Sequence, residues 1–274
     1  MEKIDFGNPG KYQLLIRLHW PNEASFYVYS EEAPEAGYYE ESLKSAPTSL
    51  FIESLKDAVF NSEYLALHYE KTRILFTSGA YTFVPDNIYQ KNEHKSDSFF
   101  RFNFENVDAD KILADKIDIC KIVNLFETNK NLYDFLQRTF PYAEYAHYIT
   151  VLLQYFMNKR IPGEPGRMFV RIHNNDLGIF CFRANQIEAV NSFPCHDIND
   201  AAYFILTLWD RLRFDQLLDG LHVAGNSDKK PELITILSRF IENVIPMKDP
   251  LPGKNQSLLP FDMQAYLDLN RKRL

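Results

Sequence analysis

The sequence predicts an α/β protein built by duplicating a unit of three strands, a helix and a further strand. Three observations carry that expectation. First, Leu14 to Ser30 (LLIRLHWPNEASFYVYS) aligns without a gap to Met168 to Ala184 (MFVRIHNNDLGIFCFRA) at an offset of 154, placing Arg17 on Arg171, His19 on His173 and Phe26 on Phe180. Apolar positions track alongside, among them Leu14/Met168, Ile16/Val170, Leu18/Ile172 and Val28/Phe182. Second, the same order of elements follows each copy, as repeated architectures require. Third, aromatic content is 15%, with Phe and Tyr far ahead of Trp, which suits bulky cores rich in strands.

Taken in order, residues 1–11 are a polar lead-in, and each copy of the repeat reads as a β-hairpin. Two alternating apolar runs flank a tip of Asn, Asp, Pro or Glu. Tyr38 to Lys44 is expected as a third strand. Ser49 to Phe60 is expected as a helix, because Leu50, Phe51, Leu55, Ala58 and Val59 follow helical spacing. Thr72 to Val84 reads as strand, kink at Gly79 and strand, stopped by Pro85. In the second half Gln186 to Phe193 is the third strand, Asp197 or Asn199 caps a helix from about Asp200 to Phe214, and Gly220 to Gly225 is a short buried strand. Gly225 follows Gly79 by 146 positions, close to the hairpin offset. Between the copies lie a charged helix near Asn87 to Ser98, strands at Ile112 to Ile117 and Ile122 to Glu127, and a short helix from Leu132 to Phe140. Strand and helix patterns overlap in Tyr142 to Gln154. Pro162-Gly163-Glu164-Pro165-Gly166 reads as the linker, giving lobes of 1–161 and 162–274, with a last helix from Phe261 to Arg271 that can pack back on the first lobe.

Composition excludes several function classes. A net charge of −7 and a pI near 5.5 disfavour a phosphate backbone as main partner, so no nucleic acid is expected, the basic run Arg271-Lys272-Arg273 being a solvated helix end. Cys120, Cys181 and Cys195 are too few and scattered for a disulfide framework or zinc site, a usage that suits a reducing cytoplasm. No basic-then-apolar leader opens the chain, and no apolar run nears the ~20 residues of a bilayer span.

The stretches Arg73 to Pro85 (RILFTSGAYTFVP), Lys121 to Glu127 (KIVNLFE), Glu144 to Ile149 (EYAHYI) and Leu221 to Asn226 (LHVAGN) carry a resemblance. With them the chain resembles a bacterial family, domain-of-unknown-function family 3822, and through it the actin-like ATPase fold. The resemblance implies a duplicated fold of two ribonuclease-H-like βββαβ lobes, mixed sheets flanked by helices, whose hairpin tips would hold nucleotide phosphates in a cleft. In that superfamily the first phosphate strand ends in Asp-x-Gly. The corresponding strand here ends Ile16-Arg17-Leu18-His19 with the tip Trp20-Pro21-Asn22-Glu23, and Pro21 has no N–H to offer a phosphate. The second copy again has Arg171 and His173, with Asp176 only at the tip, and the adenosine motif is reduced to Ala224-Gly225-Asn226.

The cleft candidates are therefore Arg17, His19, Arg171, His173, Gly225 and Asn226. Two Arg-x-His pairs, each on one strand face, could grip an anion bidentately. The blander reading, which alternation favours, makes them outward-facing polar positions or partners of nearby acids. Cys195-His196-Asp197 is weighed as a helix cap before a metal or nucleophile cluster, and no metal is expected. His147 is expected as a hydrogen-bonded histidine at a strand end. Gly253-Lys254-Asn255 lacks the rest of a phosphate loop. The expectation is a non-catalytic binding or scaffold protein with a degenerate nucleotide site, a protein partner and no cofactor, homodimerisation being left open. The alternatives are a divergent ATPase or phosphotransferase that takes ATP and Mg²⁺ in the inter-lobe cleft, and a small-anion sensor without turnover.

Overall fold

A computed structural model describes residues 4–34, 37–44, 50–77, 80–91, 96–104, 111–159, 165–251 and 259–271. The kink at Gly79, most of the Pro162–Gly166 linker, Gly253-Lys254-Asn255 and the last basic residues fall outside them. The chain divides into two compact units, one mainly of residues 1–151, the other mainly of residues 152–252 and 256–269.

In the first unit β1 (Gln13–His19) and β2 (Glu23–Tyr29) form the hairpin, β3 (Tyr38–Lys44) continues it, and α1 (Phe51–Asn61) leads into β4 (Lys71–Phe76). After β4 the chain leaves this sheet. β5 (Tyr81–Pro85), α2 (Asp86–Lys91), α3 (Ser96–Asn103), β6 (Lys111–Ile117) and β7 (Ile122–Thr128) follow, with an antiparallel sheet in the order β5-β7-β6. The two strand segments expected on either side of Gly79 thus belong to two sheets, and the charged segment expected as one helix is described as α2 and α3. α4 (Lys130–Thr139) precedes β8 (Glu144–His147), which returns to the first sheet, ordered β3-β2-β1-β4-β8. Alternation along β1 sends Leu14, Ile16 and Leu18 to the face covered by α1 and α4, through Phe51, Leu55, Leu132 and Leu136.

α5 (Tyr148–Met157) starts where β8 stops, which resolves the overlap of patterns in Tyr142 to Gln154. Its residues are buried on nearly every side, so the sequence shows no amphipathic stripe to mark it.

The second unit repeats the sheet: β9 (Gly166–His173), β10 (Asp176–Arg183), β11 (Gln186–Pro194), α6 (Ile198–Arg211), β12 (Gly220–Ala224), α7 (Lys230–Leu237), β13 (Val244–Pro246) and finally α8 (Phe261–Asn270). Its order is β11-β10-β9-β12-β13, antiparallel on the hairpin side of β9 and parallel on the other, the arrangement of the first sheet. α6 and α7 cover one face with Ala201, Ala202, Ile205, Trp209, Leu233 and Leu237.

The strand registers refine the duplication. Ile16 pairs with Phe26 and Val170 with Ile179, so the first strands correspond at an offset of 154 but the second strands at 153. The tip explains the difference, with three residues (Trp20, Pro21, Asn22) between the first pair of strands and two (Asn174, Asn175) between the second. The gap-free match of Phe26 to Phe180 is therefore corrected: Phe26 corresponds to Ile179 and Phe180 to Tyr27, on the opposite face. One residue of slip exchanges faces, since side chains alternate with a period of two. The Gly79/Gly225 match is also replaced. The parallel registers Leu14↔Thr72 and Met168↔Leu221 put the fourth strands at an offset of 149, making Phe76 the counterpart of Gly225.

Candidate functional site

In the first unit Arg17 and Glu23 occupy diagonal positions on one face of the hairpin, because Arg17 pairs with Ser25 and His19 with Glu23. The Arg17 guanidinium is fully buried and forms an ion pair with the Glu23 carboxylate. His19 Nδ1 lies 3.1 Å from the carbonyl of Thr77 and 3.3 Å from its hydroxyl. A carbonyl only accepts, so Nδ1 carries the proton. Thr77 is tied in turn to the end of β1, its N–H donating to the Leu18 carbonyl at 2.8 Å. At the tip Asn22 N–H donates to the His19 carbonyl at 2.7 Å, and Pro21 supplies no donor.

In the second unit Arg171 is again buried, and its Nη2 lies 3.1 Å from Oδ2 of Asp262 in the first turn of α8. Asp262 itself is fully buried. His173 ends β9 beside the tip, where Asn174 adopts φ +49°, a left-handed conformation that asparagine tolerates. Gly225 has φ +105°, and a Cβ there would fall 2.1 Å from the Ile172 carbonyl oxygen. The glycine is explained by the approach of its own backbone to β9. Asn226 Nδ2 donates to the Leu259 carbonyl at 3.1 Å, an oxygen that also receives Gln264 Nε2 at 2.8 Å. Arg171 and Asn226, both candidates for gripping a ligand, are thus engaged by the C-terminal segment from Leu259 to Gln264.

Arg17 and Arg171 therefore do not face outward, while the expectation of acid partners describes both. Alternation gave the face correctly but not its burial, since this face of each hairpin is covered as well as the core face. Asp262 and Gln264 gave no signal in the sequence. They sit in a helix whose first seven residues are all buried, so no polar stripe sets them apart.

The remaining candidates are tied into local structure. Asp197 caps α6, its Oδ1 accepting from the N–H groups of Asn199 (2.7 Å) and Asp200 (3.0 Å), and Asp200 Oδ2 accepts from His196 N–H at 2.9 Å. The Cys195 thiol is buried, and burial with Asp200 and Asp176 nearby raises its pKa to about 11. Among the described residues no group of His, Cys, Asp and Glu could hold a metal ion. His147 is fully buried, stacks on Phe126 (4.9 Å between centroids, 27°), and its Nδ1 lies 3.4 Å from Asn124 Nδ2. Asn124 also donates to Thr150 Oγ1 at 3.2 Å, and Asp115 Oδ2 accepts the His147 N–H at 3.0 Å. Burial raises the Asp115 carboxyl above its ordinary pKa, against the hydrogen bonds from His147 and Thr150. The sequence pointed to His147 alone; an asparagine within the apolar run IVNLFE was the available sign of its partner. At the opposite end of β1 from His19, a groove of about 590 Å³ opens between Gln13, Glu31, Tyr69, Lys71, Phe140 and Tyr142.

Two mixed sheets of one topology, each flanked by helices and led by a hairpin, define an actin-like ATPase fold. Residues 1–244 match the family described as "Protein of unknown function (DUF3822)", and the chain belongs to that family. A crystal structure from Bacteroides thetaiotaomicron, described as a protein with actin-like ATPase fold and unknown function, is similar over 97% of this chain and 98% of its own, at 28% identity and a TM-score of 0.80. A chain of the PilM–PilN type IV pilus biogenesis complex is similar over 96% of this chain and 98% of its own, at 10% identity and a TM-score of 0.50, which concerns the fold alone. No curated protein matches the chain. No helix among the described residues is long and apolar enough to cross a membrane.

Proposed function

We propose that this actin-like protein is non-catalytic and works by binding another protein, its nucleotide site being degenerate. The observation that carries this reading is the fate of the two hairpin arginines. Each is buried in an ion pair with a carboxylate of its own unit, Arg17 with Glu23 and Arg171 with Asp262. A guanidinium grips phosphate through parallel N–H donors of its planar fork. Here both guanidinium groups are buried and already engaged by a carboxylate, so a triphosphate would have to reach a buried group and compete with that acid for it. Three further features support the reading. Pro21 removes a tip donor, Gly225 packs against Ile172, and Asn226 is bonded to Leu259. The donor set does not fit a magnesium–triphosphate.

The test is thermal unfolding of the full chain with ATP and Mg²⁺, ADP and Mg²⁺, and inorganic phosphate. A ligand of the native state raises apparent stability by about 2.7 kcal/mol at one hundred times its dissociation constant. No shift is expected at millimolar nucleotide. A saturable, magnesium-dependent rise with ATP overturns the proposal in favour of a divergent ATPase or phosphotransferase, and a rise with phosphate alone in favour of an anion sensor.

A further inference from the structure

We propose that β11 is a self-pairing edge, through which two copies of the chain join their second-unit sheets in one antiparallel ladder with its two-fold axis at Asn191. In the sheet order β11-β10-β9-β12-β13, β11 pairs only with β10, and among the described residues no strand occupies its outer side. The strand is nine residues long, and Gln186, Glu188, Asn191, Ser192 and Pro194 are exposed. An open edge of this length offers a row of backbone donors and acceptors to another strand. Such edges are ordinarily protected by charges, prolines or bulges. Here those devices stand only at the two ends. A register shift between Cys181 and Phe182 leaves Glu188 as the extra residue at one end, and Pro194 closes the other. The five residues between them, Ala189-Val190-Asn191-Ser192-Phe193, carry no charge.

The composition of that segment favours a second copy as occupant, because it is complementary to its own reverse. With the axis at Asn191, the residues opposite one another are Asn191 with Asn191, Val190 with Ser192, and Ala189 with Phe193. Ala189 and Phe193 lie on the α6 face, and Asn191 shares it because its partner on β10, Ile179, belongs to the same core. Each Phe193 would therefore meet a small Ala189, and the two Asn191 amides can donate to and accept from each other. Glu188 would stand opposite Pro194, so no like charges oppose and pairing stops there. On the same face the phenylalanine ring already extends an apolar surface: Phe193 stacks on Phe204 at 4.3 Å and 8°, and Tyr203, 66% exposed, lies edge-on to Phe204. A ladder of this length is an interface of the small class.

Sedimentation velocity on the full chain at roughly 10–100 µM, the range of so small an interface, should show a concentration-dependent dimer. Asn191→Lys puts two like charges opposite each other at the axis. It should weaken the dimer at least tenfold while the exposed substitution leaves the melting temperature within roughly 2 °C. Residues opposite in an antiparallel ladder are about 4.5–5.5 Å apart at Cα, within disulfide reach. Asn191→Cys should therefore give a covalent dimer on mild oxidation, and Ser192→Cys, which faces Val190, should not. The proposal is overturned by a parent chain that stays monomeric throughout, by an Asn191→Lys chain that dimerises as tightly as the parent, or by Ser192→Cys linking as readily as Asn191→Cys.

Discussion

Asp262→Ala is the perturbation that most directly tests what the hairpin arginines do. Arg171 and Asp262 are 3.1 Å apart, with side-chain exposures of 1% and 0%. Removing the carboxylate leaves a guanidinium charge buried without this partner, a loss of about 3–5 kcal/mol. At about 2–4 °C per kcal/mol for chains of this size, the melting temperature should fall by roughly 6–20 °C. Urea unfolding followed by circular dichroism gives the same quantity through the midpoint at constant slope. The double substitution Arg171→Met/Asp262→Leu should recover most of the loss, since replacing a buried pair by apolar residues is far milder than halving it. A single variant within about 1 kcal/mol of the parent would refute the reasoning, since so small a loss is that of a solvated pair.

Three further outcomes follow from the same geometry. Gly225→Ala should destabilise by at least about 2 kcal/mol, because a positive φ is combined with a Cβ placed 2.1 Å from the Ile172 oxygen; urea unfolding measures it. Asp197→Ala should cost about 1 kcal/mol through loss of the α6 capping box, and Asp197→Asn much less, both read from urea midpoints. Asp115→Asn tests the raised carboxyl: in the parent the folded state holds this proton more tightly than the unfolded chain, so its contribution is most favourable below the ordinary pKa of 3.8 and is lost as pH rises through the folded value. The difference in urea midpoint between Asp115→Asn and the parent should therefore move in favour of the variant with rising pH, and a difference that is flat with pH would contradict the raised carboxyl.

Much of the fold was legible in the sequence because it rests on local periodicity. The hairpins, the third strands, α1, α6 and β12 follow from alternation or helical spacing, and Asp197 marks the start of α6 by its own chemistry. α5 was not legible, since a segment buried on nearly every side has no polar face to reveal its period. The match of Phe26 to Phe180 misled because a single added tip residue moves the second strand by one position, which only the ladder registers display.

The candidate site divides along the same line. The sequence by itself determined which residue types stand at the ends of the hairpins, that Pro21 removes a donor there, and that Arg17 and Arg171 occupy equivalent positions. Only the tertiary structure decided what those arginines face. Glu23 is a diagonal neighbour within a hairpin, but Asp262 lies 91 positions from Arg171 in the chain. An ion pair between residues so far apart is set by how α8 packs within its unit, and nothing local to either residue encodes it.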